Sequence, residues 1–423
     1  MSSDTTHPAQ QRSPRPINRA WWLLPVLLTI ASIVYIELPG WPFKGYSGGF
    51  IDLQVYRLGI EAMRDGADMY GQLPKTTAGI GLPFIYPPFA AIALSPFALL
   101  PWGVAKTLYV VASVAAVAWT LYLVARRYHS DSKQVALFVT ACALPVAMVL
   151  EPVRATVDFG QVNLLLMVLV ATDCLLPKTR YPRGMLIGLA AAIKLTPAAF
   201  VLFFLVRKDY KAAATAAATG AIATIASFAL LPGESTRYWF GGLGNVSGLS
   251  GSAFHTNQSI QAVLARLQIT GLPFDALWLV LGALLLALVV VAMRKAADAP
   301  AIALALNAVF TLLLSPISWS HHWVWIAPAL LAMVCHARTL PFASARGWYL
   351  TAVAVAAVFF VGPHNLLPDG EHRETAWLWW QHFVGDTYVW LAVALVVLFL
   401  VTGRRPVRAD DTPVTVEEPA RAA

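Results

Sequence analysis

Trp21-Trp-Leu-Leu-Pro-Val-Leu-Leu-Thr-Ile-Ala-Ser-Ile-Val-Tyr-Ile36 is an uncharged apolar run, entered from Arg12, Arg15 and Arg19 and left through Glu37-Leu-Pro-Gly-Trp-Pro42. A basic flank before an apolar core is also how a secretory leader begins. A leader needs a small-residue cleavage site after the core, and this exit supplies none. The run therefore reads as a retained first membrane helix with its N-terminus in the cytoplasm, the side on which basic residues stay. Comparable runs recur as far as Val401. With 58% hydrophobic and 12% charged residues in 423, and a mean hydropathy of +0.64, the chain reads as an all-α, polytopic transmembrane protein.

A hydrocarbon core takes roughly 20 apolar residues per helix, and basic connectors mark the cytoplasmic side. Spans are expected at 21–38, 104–125, 134–150, 162–177, 212–231, 276–293, 300–314, 323–337, 346–361 and 387–403. The stretch 184–206 carries Lys194-Leu-Thr-Pro197 at its middle, which predicts a broken helix or a hairpin. With its two halves the expected total is about 12 membrane helices with both termini cytoplasmic. Pro83 to Leu100 is short and proline-rich and is assigned as a membrane-embedded element of the outer loop. The expected organisation is a cytoplasmic N-terminal segment 1–20, one transmembrane domain 21–403 with an extracytoplasmic loop and embedded element at 39–100, and a disordered cytoplasmic tail 404–423.

This topology collects the long loops with little basic excess, 39–83, 151–161, 232–275, 315–322 and 362–386, on the outer face. The formal charge of +8 sits in short clusters between apolar runs rather than on one face, so it reports membrane orientation and argues against a nucleic-acid partner. Cys142, Cys174 and Cys335 lie in or beside apolar runs and form no disulfide or zinc pattern.

The outer loop opens with a helix-like stretch, Ile51 to Asp65. At about 100° per residue, Gln54, Arg57, Glu61, Arg64 and Asp65 share a polar arc, while Asp52 falls with Val55, Tyr56, Gly59 and Met63. A carboxylate aimed at an apolar surface needs a partner or a task. The plainer alternative is that Asp52 caps the helix. Lys194 inside the run Met185 to Val206 is a functional candidate for the same reason, against snorkelling or pairing with Asp173. Further polar segments are Tyr86-Pro-Pro, Gly160-Gln-Val-Asn163, Phe254-His-Thr-Asn-Gln-Ser259 and Ser315-Pro-Ile-Ser-Trp-Ser-His-His-Trp-Val-Trp325. Gln161, Asn163, Asn257 and Gln258 fit either substrate contacts or helix caps and interhelical hydrogen bonds. Trp319, Trp323 and Trp325 read first as interfacial anchors, one of which can stack on a sugar ring.

An early acidic residue in the first outer loop, followed in order by Tyr-Pro-Pro, Gly-Gln-Val-Asn, Lys-Leu-Thr-Pro, Asn-Gln-Ser and Ser-Pro-Ile-Ser-Trp with a His pair, resembles glycosyltransferase family 87. That is a family of GT-C transferases using polyprenyl-phosphate sugars. Length and N-terminal sequence are most similar to members that extend phosphatidylinositol mannosides in α-1,2 linkage. The family also holds branching mannosyltransferases and an arabinofuranosyltransferase.

The resemblance implies a single inverting displacement at the outer leaflet of the plasma membrane. Mannose passes from polyprenyl-phosphate-mannose to a mannosylated phosphatidylinositol, both presented by membrane lipid. Asp52 matches the catalytic acidic residue, which takes the acceptor's proton. The departing phosphate needs a cation, for which His322, His321, Lys194 and Arg57 are candidates, with His322 favoured. Candidate substrate contacts are Tyr56, Tyr86, Gln161, Asn163, His255, Asn257, Gln258 and Trp319. No metal or other cofactor is expected, because adjacent histidines chelate poorly from a helix and no Asp-x-Asp occurs. The rival from another class is a lipid-linked-sugar transporter, which would show repeat symmetry with essential charges near the midplane.

Overall fold

Helices make up nearly all of the regular structure, and among the described residues the one β-type pairing is an isolated antiparallel bridge between Asn257 and Trp319. The computed structural model describes residues 17–37, 49–242 and 252–402. Expectations for the N-terminal segment before residue 17, for 38–48, for the Gly/Ser-rich stretch 243–251 and for the charged tail from 403 lie outside these residues.

The helices are α1 Leu23–Glu37, α2 Ile51–Arg64, α3 Pro88–Ala98, α4 Trp102–Tyr128, α5 Lys133–Val149, α6 Glu151–Phe159, α7 Asn163–Leu175, α8 Met185–Ile193 and α9 Val201–Val206. They continue as α10 Tyr210–Leu230, α11 Pro232–Thr236, α12 Ile260–Arg266, α13 Gly271–Lys295, α14 Pro300–Leu314, α15 Ile326–Ala337, α16 Phe342–Val361, α17 Trp379–Gly385 and α18 Thr387–Thr402. Every expected span contains a helix whose ends fall within a few residues of it. Their ends follow local chemistry. Ser132 caps α5 by accepting from Val135 N at 3.3 Å, and Arg126 and Arg127 occupy the last turn of α4, where its carbonyls leave negative charge.

Among the described residues, α4, α10, α13 and α16 are long and apolar enough to cross a membrane, as is the segment Arg19–Ile36. Two further spans arise if the bent pairs α5–α6 and α17–α18 each count as one, with bends of 70° and 68°. The chain is thus a multi-pass membrane protein. The expected spans at 162–177, 300–314 and 323–337 are helices of 13, 15 and 12 residues. At 1.5 Å per residue these fall short of a full hydrocarbon thickness.

The stretch 184–206 is broken. α8 ends at Lys194, whose backbone is extended (φ −148°, ψ 129°), and a 3₁₀ turn through Pro197 leads into α9. α8 lies against the alanine-rich face of α10, and Gly184 and Gly188 leave no room for a Cβ against the backbone of Ala212 and Ala216. Asp173, the alternative partner for Lys194, instead accepts from Ile187 N at 3.0 Å at the start of α8. The proline-rich piece after Pro83 becomes α3, packed on α2, α8 and α10.

Candidate active site

α2 lies across the turn that joins α6 to α7. Gly160 adopts φ +73° there, and a Cβ at this position would come within 2.6 Å of the Leu53 Cβ. Phe50 N donates to the Asp158 carbonyl at 2.8 Å, fixing the entry of α2. Phe50 is the N-cap and makes no side-chain cap bond, so Asp52 lies one residue inside the helix rather than capping it. Its carboxyl is half-buried and meets the Gln161 side chain.

Gln161 is oriented by two tyrosines. The hydroxyls of Tyr56 and Tyr86 both donate to Gln161 Oε1, Tyr86 at 2.9 Å, and the two hydroxyls lie 3.1 Å apart. Val162 N approaches the same oxygen at 3.0 Å. With its oxygen committed, the Gln161 amide nitrogen is left to donate toward Asp52. Tyr109, which the sequence gave no reason to single out, holds the turn from below: its hydroxyl lies 2.9 Å from the Thr156 carbonyl and 2.8 Å from that of Gln161.

Opposite stands Lys194, freed from helix at the α8 break. Its Nζ donates to Asn163 Oδ1 at 3.0 Å, lies 3.2 Å from His322 Nε2, and sits 5.6 Å from the Tyr86 ring centre. Asn163 Nδ2 in turn donates to the His321 carbonyl at 3.0 Å. Thr156 Oγ1 donates to the same carbonyl at 2.5 Å. A cavity opens beside Lys194, lined by Asn163, His322, Ser315, Ser318 and Trp325.

Electrostatics follow from this packing. Burial pushes the Asp52 carboxyl up to about 7, against the opposing pull of Lys194 and the Gln161 hydrogen bond. Burial and the neighbouring Lys194 hold the His322 imidazole well below its ordinary value, and its ring also hydrogen-bonds the Ile317 backbone. A neutral His322 presents a lone pair to Lys194, so the charge at this point belongs to the lysine. Among the described residues, two of the three ammonium N–H groups are engaged, by Asn163 and His322. The arrangement sets a carboxyl able to gain or lose a proton near neutrality in the field of the Lys194 ammonium.

The packing thus brings together Asp52, Tyr56, Tyr86, Gln161, Asn163, Lys194, His321 and His322. Arg57 stands apart: Nε contacts Glu61 at 2.7 Å, one turn along the polar arc, and NH1 donates to the Leu100 carbonyl at 3.1 Å. Asn257 and Gln258 serve backbone. Asn257 Oδ1 accepts from Ser318 N at 2.9 Å, Gln258 N donates to the Ser318 carbonyl at 2.7 Å, and Gln258 Nε2 donates to the Gly385 carbonyl at 2.7 Å. They pin the 254–259 loop onto the segment that leads to the His pair. Trp319 pairs with Asn257 in the bridge and packs edge-on to Phe254. His255 belongs to an outer group with Asp369 at 3.4 Å and Glu374 at 3.6 Å. In the 377–380 segment Trp377 is buried, its indole N–H donating to the Pro368 carbonyl at 2.8 Å, while Trp379 and Trp380 remain exposed.

A multi-pass helical protein with polar groups gathered around one carboxylate and one lysine is the setting in which the sequence similarities fall. Residues 84–316 match the model of glycosyltransferase family 87. A "polyprenol-phosphate-mannose-dependent alpha-(1-2)-phosphatidylinositol mannoside mannosyltransferase" of Mycolicibacterium smegmatis is 37% identical, covering 95% of each chain. The protein of the same name from Mycobacterium tuberculosis is also 37% identical, over 90% of this chain and 91% of that one. A "phosphatidylinositol pentamannoside mannosyltransferase" of M. tuberculosis is 30% identical over 84% of each. The solved structure of ArnT from Cupriavidus metallidurans bound to undecaprenyl phosphate covers 91% of this chain and 77% of that one at 17% identity. The TM-score is 0.38. The chain belongs to glycosyltransferase family 87 and is a glycosyltransferase.

Proposed function

We propose that this protein is an inverting α-1,2-mannosyltransferase of GT-C type. It moves mannose from polyprenyl-phosphate-mannose to a mannosylated phosphatidylinositol at the outer leaflet of the plasma membrane, with both termini cytoplasmic. The observation that carries the reading is that Asp52 and Lys194 act on each other's charge without forming an ion pair, each held by neutral hydrogen-bonding neighbours. The names of the two relatives at 37% identity support the donor and acceptor.

In this mechanism the acceptor hydroxyl attacks the anomeric carbon while Asp52 takes its proton. General-base catalysis of this kind contributes about 10²–10⁴-fold, most efficiently when the base titrates near the working pH. Asp52, held at about 7, meets that condition. The new glycosidic bond forms as the bond to the phosphate oxygen breaks, and the Lys194 ammonium receives the phosphate charge. His322 and Asn163 aim the ammonium, which makes Lys194 rather than His322 the principal cation. Arg57 has no part in it. Tyr56, Tyr86 and Gln161 set the direction and acidity of Asp52. The chemistry needs no metal, because the leaving group is already a stabilised anion. Holding both lipids in one membrane plane removes much of the entropy otherwise lost on bringing them together.

The test is transfer of radiolabelled mannose by the purified full-length protein from polyprenyl-phosphate-mannose to phosphatidylinositol mannosides, followed by linkage analysis. An α-1,2 product supports the reading. Movement of donor between leaflets without a new glycosidic bond would establish the transporter instead, and transfer of arabinofuranose but not mannose would reassign the sugar.

A further inference from the structure

Behind the His pair lies a carboxylate for which the transfer chemistry has no use. Glu151 begins α6 and is 5% exposed. Its Oε1 accepts from Ser320 Oγ at 2.7 Å and its Oε2 from Tyr388 OH at 2.9 Å. His364 Nε2 stands 4.0 Å away. Burying a carboxylate is unfavourable enough that apolar replacements of buried charges are often neutral or stabilising, so stability alone is a weak reason for it.

Its place in the fold supplies another reason. α6 meets the 3₁₀ turn Ser320–Trp325 at successive points: Glu151 on Ser320 Oγ, Thr156 on the His321 carbonyl, and the Phe159 ring 5.0 Å from the His321 ring. The contact to Ser320 secures the first residue of that turn. A 3₁₀ turn is short and its hydrogen bonds are poor, so an anchor at its entry decides where the next two side chains begin. Those side chains are His321 and His322, and His322 Nε2 is the partner of Lys194. Resting on the transfer site proposed above, we infer that Glu151 is a positioning residue: through Ser320 it holds the His321–His322 turn so that His322 keeps Lys194 aimed at the donor phosphate.

The test is a double-mutant cycle on the full-length protein in lipid nanodiscs, using Glu151→Gln, Ser320→Ala and both together, with Tyr388→Phe as comparator. Mannose transfer gives kcat and donor KM separately, thermal unfolding gives stability, and ¹⁵N-imidazole NMR reports His322. Glu151→Gln and Ser320→Ala should each lower kcat about tenfold with donor KM within about threefold, and the pair should be no worse than either alone. Both should shift the His322 signals. Tyr388→Phe, which removes the other donor to Glu151, should lower the unfolding temperature and leave kcat and the His322 signals near wild type. The inference is overturned if the two losses multiply, or if Ser320→Ala is silent while Tyr388→Phe reproduces the Glu151→Gln defect, since Glu151 would then only brace α18. If Glu151→Gln does not fold, Ser320→Ala against Tyr388→Phe carries the test. If wild type transfers no mannose, the substrate reading fails, and the His322 spectrum still decides the positioning role.

Discussion

Two opposite-charge arrangements among the described residues are built in contrary ways. Arg266 on α12 and Asp386 before α18 meet at 2.5 Å with neither side chain exposed, and the guanidinium also serves the carbonyls of Ala253, Phe254 and Asn257. Asp52 and Lys194 influence each other's charge, yet no ion pair closer than 4.0 Å joins them among the described residues. Contact cancels charge and leaves nothing for a substrate. Without that contact both groups keep their charge for the transfer proposed above, and a cavity lies beside Lys194. The first pair is a clamp that holds the 254–259 loop against the start of α18, and the second is the site proposed for transfer.

If that contrast is right, breaking each pair has a different signature. Asp52→Asn should lower transfer by about 10³-fold while the protein still binds donor, measured by single-turnover kinetics and by donor binding. It should not destabilise the fold. A carboxyl whose folded value is raised to about 7 contributes stability fully present below the ordinary carboxylate range and lost as pH rises through 7. At pH 8 the asparagine variant should therefore unfold no earlier than wild type. Lys194→Met should lower kcat/KM for donor by about 10²-fold, the worth of one charge-assisted contact to a phosphate in a partly dehydrated site. Arg266→Met should do the reverse. It should cost about 3–5 kcal/mol of stability by stranding Asp386, while activity per folded molecule stays within about threefold. Equal loss of activity in Arg266→Met and Lys194→Met would erase the distinction.

The sequence announced the two reactive groups individually because each violates its own surroundings. Asp52 is on the apolar side of an amphipathic helix, and Lys194 interrupts an apolar run. Arg57, a phosphate candidate from sequence, instead pairs with Glu61 four residues along the polar arc. What periodicity could not convey was convergence. Asn163, Lys194 and His322 meet only because α8 stops at an extended lysine and a 3₁₀ turn precedes α15, and such breaks have no period to read. Asn257 and Gln258 stood open between substrate contacts and structural hydrogen bonds for a related reason. An amide in a polar loop looks the same whether it faces a sugar or a carbonyl, and here both face backbone. Tyr109 and Tyr388 were hidden inside apolar spans, where a hydroxyl leaves no mark on hydropathy.

The most direct measurement is the pH dependence of kcat/KM for donor at saturating acceptor, in wild type and in Gln161→Leu. With Asp52 as the base at about 7, the rate should climb with pH through a midpoint near 7 in wild type. Removing the Gln161 hydrogen bond, which favours the carboxylate, should move that midpoint upward. A wild-type profile flat from pH 5.5 to 8, or a midpoint indifferent to Gln161→Leu and retained in the residual activity of Asp52→Asn, would contradict Asp52 as the group that takes the acceptor's proton.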